Sequence, residues 1–380
     1  MRIGIFGGTF NPIHSAHLTT ARGALTALAL DRVLLMVAAD PPHKAVAGAV
    51  PGSDRLRMAR LAADGIPGLA VSDLELRREG KSYTVDTLRA LHEAYPGSEL
   101  FLIVGSDMLQ DIPAWREPAE LLRLAAIAAV PRGGYAQEDA AAAALLRGDY
   151  GARVIPLQLR PPALSSTEIR RRLFAGLPVT GMLPPAVEDE VYDSGLYFPE
   201  EVRKMQEKCR LALNIERYRH TMAVVREAAR LAERYGVDAG QARIAALLHD
   251  CAKCMDKGLL RVLAGDDCDI PAVLHAFAGA VVAQNDYGVR DPAVLRAIRL
   301  HSTGEAGMSR LAMLTYLADI TEHTRAFPGV AALRAAVEEG LVAGMRHALS
   351  HTLARLSDRG LAVHPATERA ARYFANLQEE

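Results

Sequence analysis

Long apolar runs and a surplus of one charge are both missing from this chain. The longest apolar segments, such as residues 121–130, are too short to span a bilayer, and the amino terminus opens into a predicted strand without a secretory pattern. The formal net charge is −1. It divides into about −2 before Phe198 and about +1 after it, so neither half has the basic surplus that nucleic-acid binding favours. We therefore expect a cytoplasmic protein that partners neither membrane nor nucleic acid.

Cysteine is also scarce, with four in 380 residues. A chain of this size with so few cysteines does not have a disulfide framework, so free thiols are expected. Cys251 and Cys254 form a Cys-x-x-Cys pair, but no second pair follows at the spacing of a structural zinc site. This favours free thiols over zinc or redox chemistry.

The length and the 50% hydrophobic content allow two ordinary domains. Strand and helix patterns alternate as far as Tyr197-Phe198-Pro199, and beyond it hardly a convincing strand appears. Amphipathic segments such as 218–235 and 239–248 predict a helical bundle there. We predict an α/β doubly wound parallel sheet in residues 1–198 and an all-α domain in residues 199–380.

Residues 7–17, Gly-Gly-Thr-Phe-Asn-Pro-Ile-His-Ser-Ala-His, lie between a short apolar strand and a predicted helix. Gly7 and Gly8 let the backbone pass close to a bulky ligand, and the helix start offers N–H groups and a positive dipole end. His14 and His17, three residues apart, can donate to phosphoryl oxygens from one helix face. The stretch predicts a phosphate site.

Other segments of the first half also end strands with polar or glycine residues. A second strand, 32–38, precedes Asp40-Pro-Pro-His-Lys44, where Lys44 could hold a phosphate as a point charge. A third strand ends in Gly105-Ser106-Asp107, the place where doubly wound sheets bind ligands, so Asp107 is a candidate contact of a ribose or of magnesium-bound water. After the strand 125–130, Arg132 is a candidate for a mononucleotide phosphate.

Two helix starts complete the predictions for this half. Ser165-Ser166-Thr167-Glu168 has the residues of a capping box and precedes Arg170, which makes a second anion site. The segment 82–88 predicts a helix capped by Ser82 or Thr84. Both segments are also compatible with ordinary helix caps.

Residues 7–17 resemble the ATP-binding signature of the nucleotidyltransferase superfamily, Gly-Gly-x-Phe-x-Pro-x-His-x-Gly-His, with Ala16 in place of a glycine. Residues 164–170 resemble its second ATP motif, Ile-Ser-Ser-Thr-x-Ile-Arg, with Leu164 in place of isoleucine. Pro41-Pro-His-Lys44 and the segment 82–88 are similar to the branch that adenylates nicotinate mononucleotide. The resemblance implies a Rossmann-like fold and adenylyl transfer from magnesium-ATP to that mononucleotide, which gives deamido-NAD and pyrophosphate.

Residue roles follow from this resemblance. The implied catalytic residues are His14, His17, Lys44 and Arg170. The implied ATP contacts are Gly7, Gly8, Thr9, Phe10, Gly105, Asp107, Ser166, Thr167 and Arg170. The implied mononucleotide contacts are Lys44, Thr84, Trp115 and Arg132. Trp115 either stacks on the pyridine ring or is a packing residue, and pantetheine phosphate remains an alternative acceptor.

In the second half, four histidines and two aspartates stand among apolar or small residues. They are His220, His249, Asp250, His275, His301 and Asp319. A buried carboxylate needs a counter-charge, which a metal supplies. Six N and O ligands exceed the needs of one catalytic ion, so we expect two metals bridged by Asp250, with iron or manganese more suitable than zinc.

This set resembles the HD superfamily of metal-dependent phosphohydrolases, with His249-Asp250 and Lys253 as His-Asp-x-x-Lys. The segments His275-x-x-x-Gly279 and His301-Ser-Thr-Gly304 are similar to the branch that cleaves diadenosine tetraphosphate symmetrically. The resemblance implies two ADP products and catalytic roles for Asp250 and Lys253. Alternatively, the second half is a non-catalytic module that senses metal or nucleotide and regulates the first. The remaining histidines of this half, His323, His347, His351 and His364, are interpreted as ordinary residues, and a homo-oligomer remains open.

Overall fold

The computed structural model of the protein describes residues 1–39, 50–131 and 136–377. These residues form two compact units. The first comprises Met1–Arg171 with Val179–Val191, and the second comprises Arg172–Pro178 with Tyr192–Glu380. No helix in the described ranges combines the length and the apolar content needed to cross a membrane.

The first unit is built on one parallel sheet. Its strands are β1 (Arg2–Gly8), β2 (Arg32–Val37), β3 (Leu69–Ser72), β4 (Glu99–Gly105), β5 (Ala125–Val130) and β6 (Val154–Pro156). The strand order is β3-β2-β1-β4-β5-β6 with every pairing parallel. The order reverses between β1 and β4, and doubly wound sheets bind ligands outside the carboxyl ends of the strands at such a switch point. The predicted α/β fold is confirmed.

Helices connect and follow these strands along the chain. They are α1 (Ser15–Ala27), α2 (Gly52–Ala63), α3 (Thr84–Ala94), α4 (Pro118–Leu124), α5 (Ala136–Tyr150), α6 (Ser166–Ala175) and α7 (Pro185–Ser194). The central strands are almost entirely apolar, with Ile5, Leu102 and Ile127 buried in the core, as expected for strands covered on both faces.

Two strands of the sheet were not predicted from the sequence. β3 has four residues, all half-buried, and β6 has three and ends at Pro156. Strands this short offer too few residues for an alternating or continuous apolar pattern. The strand predicted as the third, at 100–105, is therefore the fourth along the chain.

The described residues of the second unit form helices joined by turns and loops, without a strand. Its helices are α8 (Glu200–Ala212), α9 (Ile215–Tyr235), α10 (Ala239–Leu248), α11 (Lys257–Ala264), α12 (Leu274–Asn285), α13 (Pro292–Leu300), α14 (Arg310–Thr321), α15 (Val330–Glu339), α16 (Leu341–Asp358) and α17 (Pro365–Asn376). The predicted all-α fold of this half is confirmed.

The long helix α9 shows how the sequence defines these elements. The Asn214 side chain caps its start by accepting from the Arg217 N–H at 2.9 Å, and Gly236 ends it in the left-handed region at φ 61°. Its buried stripe, which includes Tyr218, Met222 and Val225, follows the 3.6-residue period. Helix α10 packs against α9, α13 and α14, so residues at the facing ends of these helices come together.

Candidate active site and metal centre

The turn between β1 and α1 carries the first predicted site. A Cβ added at Gly7 would meet nothing within 4 Å, so this backbone faces open space, as an approaching ligand requires. Gly8 differs from the prediction, because a Cβ there would lie 3.0 Å from the Phe10 ring. Its small size therefore accommodates Phe10. Phe10 itself is buried and packs edge-on against the His17 ring, so it helps to fix the orientation of that ring.

His14 and His17 lie together at the start of α1. Their rings stack with centroids 3.7 Å apart, and the His14 backbone N–H donates to His17 Nδ1 at 3.2 Å. Because Nδ1 accepts this bond, the neutral imidazole of His17 carries its proton on Nε2. His17 can then offer an N–H donor to a phosphate at the helix start.

Both histidines line a cleft of about 640 Å³ at the carboxyl ends of the strands. Gly105 and Val130, which end β4 and β5, line it as well, together with residues 161–166. The volume is sufficient for a nucleotide, since small-molecule sites typically measure about 300–1,000 Å³. Of the nine predicted ATP contacts, Gly105 and Ser166 are among its lining residues. The other seven are not, namely Gly7, Gly8, Thr9, Phe10, Asp107, Thr167 and Arg170. Thr9 and Asp107 are exposed beside the strand ends.

The second predicted motif reaches the same turn from the far end of the unit. Ser165 Oγ accepts from the Glu168 N–H at 3.2 Å, which gives α6 the predicted cap. Ser166 Oγ donates to the Pro12 carbonyl at 2.9 Å, and Arg170 Nη1 donates to the Asn11 carbonyl at 2.7 Å. The two motifs therefore converge, and these side chains hold the turn that presents His14.

The structure describes some of the remaining predicted residues of this half and not others. Lys44 and Arg132 lie outside the described residues. Thr84 is the first residue of α3, and the cap position belongs to Tyr83, whose side chain makes no capping bond. The predicted capping by Ser82 or Thr84 is therefore wrong: Ser82 Oγ donates to the Glu75 carbonyl instead. Trp115 is half-buried against the sheet core, which agrees with its packing alternative.

One buried arginine of this site was missed from the sequence. Arg55 is 2% exposed, and its Nη1 donates at 2.8 Å to both the Thr9 and the Ala38 carbonyls. It thereby joins the turn after β1 to the end of β2. The available signal was its place on the apolar face of α2, in line with Met58 and Ala62.

The second predicted site gathers its side chains from five helices. His220 comes from α9, His249 and Asp250 from the end of α10, His275 from α12, His301 from the end of α13 and Asp319 from α14. Their ligand atoms form three overlapping groups, and within each group these atoms lie within 4.8 Å of one another. All six predicted ligands therefore converge.

Short distances link the cluster from end to end. His220 Nε2 lies 3.0 Å from Asp319 Oδ1, and His249 Nε2 lies 3.9 Å from the same oxygen. His249 Nε2 is also 3.5 Å from Asp250 Oδ2, while His275 Nε2 is 3.3 Å from Asp250 Oδ1. Asp250 thus stands between His249 and His275, the position expected of a bridging carboxylate.

The cluster has the properties of a metal site. His249 Nδ1 donates to the Ala246 carbonyl and His301 Nδ1 to the Ile298 carbonyl, each at 2.7 Å, so both rings turn Nε2 towards the centre. Within the described ranges, His249 Nε2 and Asp250 Oδ1 are buried without a hydrogen-bond partner. Because buried polar atoms nearly always have one, and four imidazoles with two carboxylates suit a transition metal, the residues fit a cation.

Electrostatics keep these groups in the protonation states that metal ligands need. Burial opposes ionisation of Asp250, but His249 and His301 outweigh it and hold the pKa of this carboxyl well below its usual range. Burial lowers the pKa of His275 to about 2, and His301 and Lys253 add to the effect. Asp250 is therefore charged and His275 neutral at pH 7.

Three further residues of this centre were missed. Glu322 is fully buried and accepts from His220 Nδ1 at 3.1 Å, which orients that ring. Arg217 Nη1 bonds to Asp250 Oδ2 at 2.9 Å, and Arg325 Nη2 bonds to Asp319 Oδ1 at 2.6 Å. Spacing was the available signal, since Arg217 and Glu322 each stand three residues from a predicted ligand and so share its side of the helix.

The other predictions for this half can be placed briefly. Lys253 Nζ lies 3.0 Å from His275 Nε2 and 4.0 Å from Asp250 Oδ1, and burial lowers its pKa. The ligand groups contain no cysteine and none of the four histidines interpreted as ordinary. All four cysteines lie in the described residues as free thiols, as predicted.

Comparison with known proteins identifies both halves. A family model described as cytidylyltransferase-like matches residues 5–172, and one described as an HD domain matches residues 217–324. A protein from Thermus thermophilus named probable nicotinate-nucleotide adenylyltransferase is 45% identical to this chain over 197 residues, which cover 52% of this chain and 100% of that protein. A protein of the same name from Gloeobacter violaceus is 42% identical over 197 residues, which cover 52% of this chain and 96% of that protein. The chain therefore belongs to the nicotinate-nucleotide adenylyltransferase family and carries an additional HD domain.

A solved structure is also similar to part of this chain. It is described as a predicted HD superfamily hydrolase involved in NAD metabolism from Clostridium acetobutylicum, with 32% identity, 45% of this chain covered, 95% of that chain covered and a TM-score of 0.43.

Proposed function

We propose that this chain is a bifunctional enzyme, with adenylyl transfer in residues 1–198 and hydrolysis of a dinucleoside polyphosphate in residues 199–380. The first activity would transfer AMP from ATP to nicotinate mononucleotide and so contribute to NAD biosynthesis. The observation that carries this half is the convergence of the His14 turn with the Ser166 and Arg170 motif at one nucleotide-sized cleft. The names of the relatives from Thermus thermophilus and Gloeobacter violaceus support the acceptor.

The transfer needs no covalent enzyme intermediate. A phosphate oxygen of the mononucleotide attacks the α-phosphorus of ATP, a new P–O bond forms, and the bond to the bridging oxygen breaks as pyrophosphate leaves. His14 and His17 would donate to the developing charge at the start of α1, and Lys44 would add a further positive charge. Arg170 would add its positive charge from beside the turn that it holds through the Asn11 carbonyl. Magnesium bound with ATP would supply charge neutralisation at the triphosphate. One such donor is typically worth about 3 kcal/mol of the barrier.

Different residues would contact the two substrates. The residues that would contact ATP are Gly7, Thr9, Gly105 and Asp107. Those that would contact the mononucleotide are Thr84, Trp115 and Arg132. Trp115, which is only half-buried, would stack on the pyridine.

A panel of acceptors tests the transfer. The full-length chain is incubated with magnesium-ATP and either nicotinate mononucleotide, nicotinamide mononucleotide or pantetheine phosphate, and pyrophosphate release is measured. We expect the highest kcat/KM with nicotinate mononucleotide. Faster release with pantetheine phosphate, or none with any acceptor, would overturn the proposal for this half.

The second activity would cleave diadenosine tetraphosphate into two ADP molecules. The observation that carries it is the buried cluster of six ligand side chains with partnerless atoms on His249 and Asp250. His220, His249, Asp250, His275, His301 and Asp319 would hold two ions, iron or manganese, with Asp250 between them. When bound, such ions supply charge neutralisation and an activated water nucleophile.

The chain's own residues complete the hydrolysis. A water oxygen bonds to a central phosphorus, the bridging P–O bond breaks, and the addition of one water balances two ADP products. Lys253 would hold the neighbouring phosphate, because its ammonium lies beside the cluster and is partly exposed. The pKa values of the Asp250 and Asp319 carboxyls are lowered, so both would remain charged as ligands of the ions.

Incubation of the full-length chain with diadenosine tetraphosphate and iron or manganese tests this half. We expect ADP from the wild type and from His347→Ala, a control histidine on α16 outside the cluster, and none from Asp250→Ala. ADP from Asp250→Ala at the wild-type rate would overturn the proposal. If the wild type releases no ADP but the tetraphosphate changes its pyrophosphate release, the second half is a sensor.

A further inference from the structure

Two arginines flank the metal-ligand cluster, one at each of its carboxylates. Arg217 Nη1 lies 2.9 Å from Asp250 Oδ2, and Arg325 Nη2 lies 2.6 Å from Asp319 Oδ1. His249 Nε2 stands between the two carboxylates, 3.5 Å from one and 3.9 Å from the other. The two guanidinium groups therefore reach the centre at two different carboxylates, and His249 Nε2 lies near both of these carboxylates.

Exposure places both guanidinium groups at the mouth of the centre. The side chains of Arg217 and Arg325 are 31% and 33% exposed, while those of their partners Asp250 and Asp319 are 4% and 22% exposed. An arginine that served only to neutralise a buried carboxylate would be expected to share its burial. Both arginine side chains are instead more exposed than the carboxylates that they contact, so a substrate arriving from solvent can reach them.

Both groups retain donors for a further partner. Within residues 1–39, 50–131 and 136–377, the Arg217 guanidinium makes one hydrogen bond, through Nη1. Arg325 uses Nε and Nη2 on Asp319, and the same part of the chain gives no partner to its Nη1. Guanidinium has five N–H donors, stays charged at every working pH and matches phosphate oxygens in pairs.

We propose that Arg217 and Arg325 bind the phosphates on the two sides of the reacting phosphorus, so that this centre selects a polyphosphate chain cleaved internally over a terminal phosphate ester. The inference rests on the proposed hydrolase and assigns the residues that recognise its substrate. Lys253 adds a third positive charge at the same mouth, 33% exposed. A phosphomonoester has no phosphate beyond the reacting one and would leave at least one arginine without a substrate contact.

Binding of an uncleavable analogue tests this inference without relying on turnover. The full-length chain loaded with manganese is titrated calorimetrically with diadenosine tetraphosphate whose central bridging oxygen is replaced by methylene. The variants are Arg217→Met and Arg325→Met, with Arg217→Lys and Arg325→Lys as conservative changes. Arg234→Met is the matched control, because Arg234 pairs with Glu338 in the last turn of α9, about 21 Å along the helix from His220 at 1.5 Å per residue.

We expect each methionine variant to bind the analogue about 10- to 100-fold more weakly, as the loss of a charged hydrogen bond implies. Each lysine variant should recover part of the lost affinity for the analogue. Arg234→Met should bind the analogue as tightly as the wild type does. The manganese content, measured by mass spectrometry, should stay unchanged in all five variants.

Unchanged analogue affinity in both methionine variants would overturn the inference. So would a fall in manganese content that parallels the affinity, because the arginines would then only position the ligand carboxylates. A wild type that fails to bind the analogue also overturns it. A wild type that binds the analogue but releases no ADP from diadenosine tetraphosphate would refute the proposed hydrolase alone.

Discussion

The two units of this chain form their candidate sites in different ways. In the α/β unit, the site consists largely of backbone at the start of α1, exposed by Gly7 and fixed by bonds from Ser166 and Arg170 to nearby carbonyls. In the helical unit, the centre consists of side chains, each delivered by a helix end or a helix face. A backbone site depends on one local conformation, whereas a side-chain centre depends on the packing of five helices.

This difference has consequences for substitution. A single side-chain change in the helical centre removes a ligand outright, since no backbone atom can replace it. In the α/β cleft, several donors share the charge, so the loss of one leaves the others in place. We therefore expect the largest effects in the helical unit and graded effects in the α/β unit.

Asp250→Asn provides the sharpest contrast between the units. The change keeps the size of the side chain but removes the charge between His249 and His275. We expect ADP release from diadenosine tetraphosphate to fall on the order of 10³-fold or more, because the proposed metal pair would lose its shared ligand. Pyrophosphate release by the same preparation should stay at the wild-type rate, and a parallel loss of both activities would contradict two independent sites.

A pair of variants at His17 sharpens the account of the α/β site. His17→Asn can still accept from the His14 N–H but loses the donor at the Nε2 position, whereas His17→Gln can keep a donor there. We expect kcat for pyrophosphate release to fall about 100-fold in His17→Asn, as for one lost charge-stabilising donor, and distinctly less in His17→Gln. The reverse order would mean that His17 matters mainly as a cap.

Glu322 tests how far the metal centre depends on residues behind its ligands. Glu322→Ala removes the acceptor of His220 Nδ1, and such outer partners typically contribute about 10- to 100-fold in metal affinity. We expect a loss of this size in manganese titrations. Glu322→Gln, which keeps an acceptor, should lose less, and equal losses in both variants would show that the charge of Glu322 matters more than its hydrogen bond.

The smallest expected effect concerns the cap that begins α13. Asp291 accepts from the Ala293 N–H at 2.8 Å, and bonds from Gln241 and Ala293 lower the pKa of its carboxyl. Asp291→Ala should lower the free energy of unfolding by about 1 kcal/mol, the usual value of an N-cap, while Asp291→Asn should retain the cap. Urea midpoints measure both changes.

The same residue predicts a pH dependence. A lowered folded pKa stabilises the protein above the unfolded pKa of about 3.9, and this stability is lost as the pH falls through the folded value. The free energy of unfolding of the wild type should therefore exceed that of Asp291→Asn above about pH 4, and this difference should disappear below about pH 4. The difference should be constant between pH 5 and pH 7. An advantage that persists at pH 3 would contradict the assigned cause.

Much of this arrangement could be predicted from the sequence, for reasons that also differ between the units. The residues 7–17 lie together in the chain, so their glycine and histidine pattern indicates a helix start directly. The six metal ligands are far apart, but a charged residue that ends an apolar helix, such as Asp250, needs a partner, and only another such helix can supply it.

The residues that were missed act through contacts that no local pattern encodes. Arg55 bonds to two backbone carbonyls, and any residue type supplies a carbonyl. Glu322 and Arg325 lie beyond the end of the apolar run of α14, where charged residues usually face solvent. The short strands β3 and β6 were also missed. Their strand conformation depends on pairing with β2 and β5 more than on their own composition.

The central claim is that separated side chains of the helical unit hold two metal ions. Mass spectrometric metal analysis of the purified full-length chain tests it most directly, with Asp250→Asn and His347→Ala prepared in parallel. We predict about two iron or manganese atoms per chain in the wild type and in His347→Ala, as a centre of six ligands bridged by one carboxylate requires, and a large loss in Asp250→Asn. Less than one atom per chain in the wild type, or equal contents in all three proteins, would contradict the account.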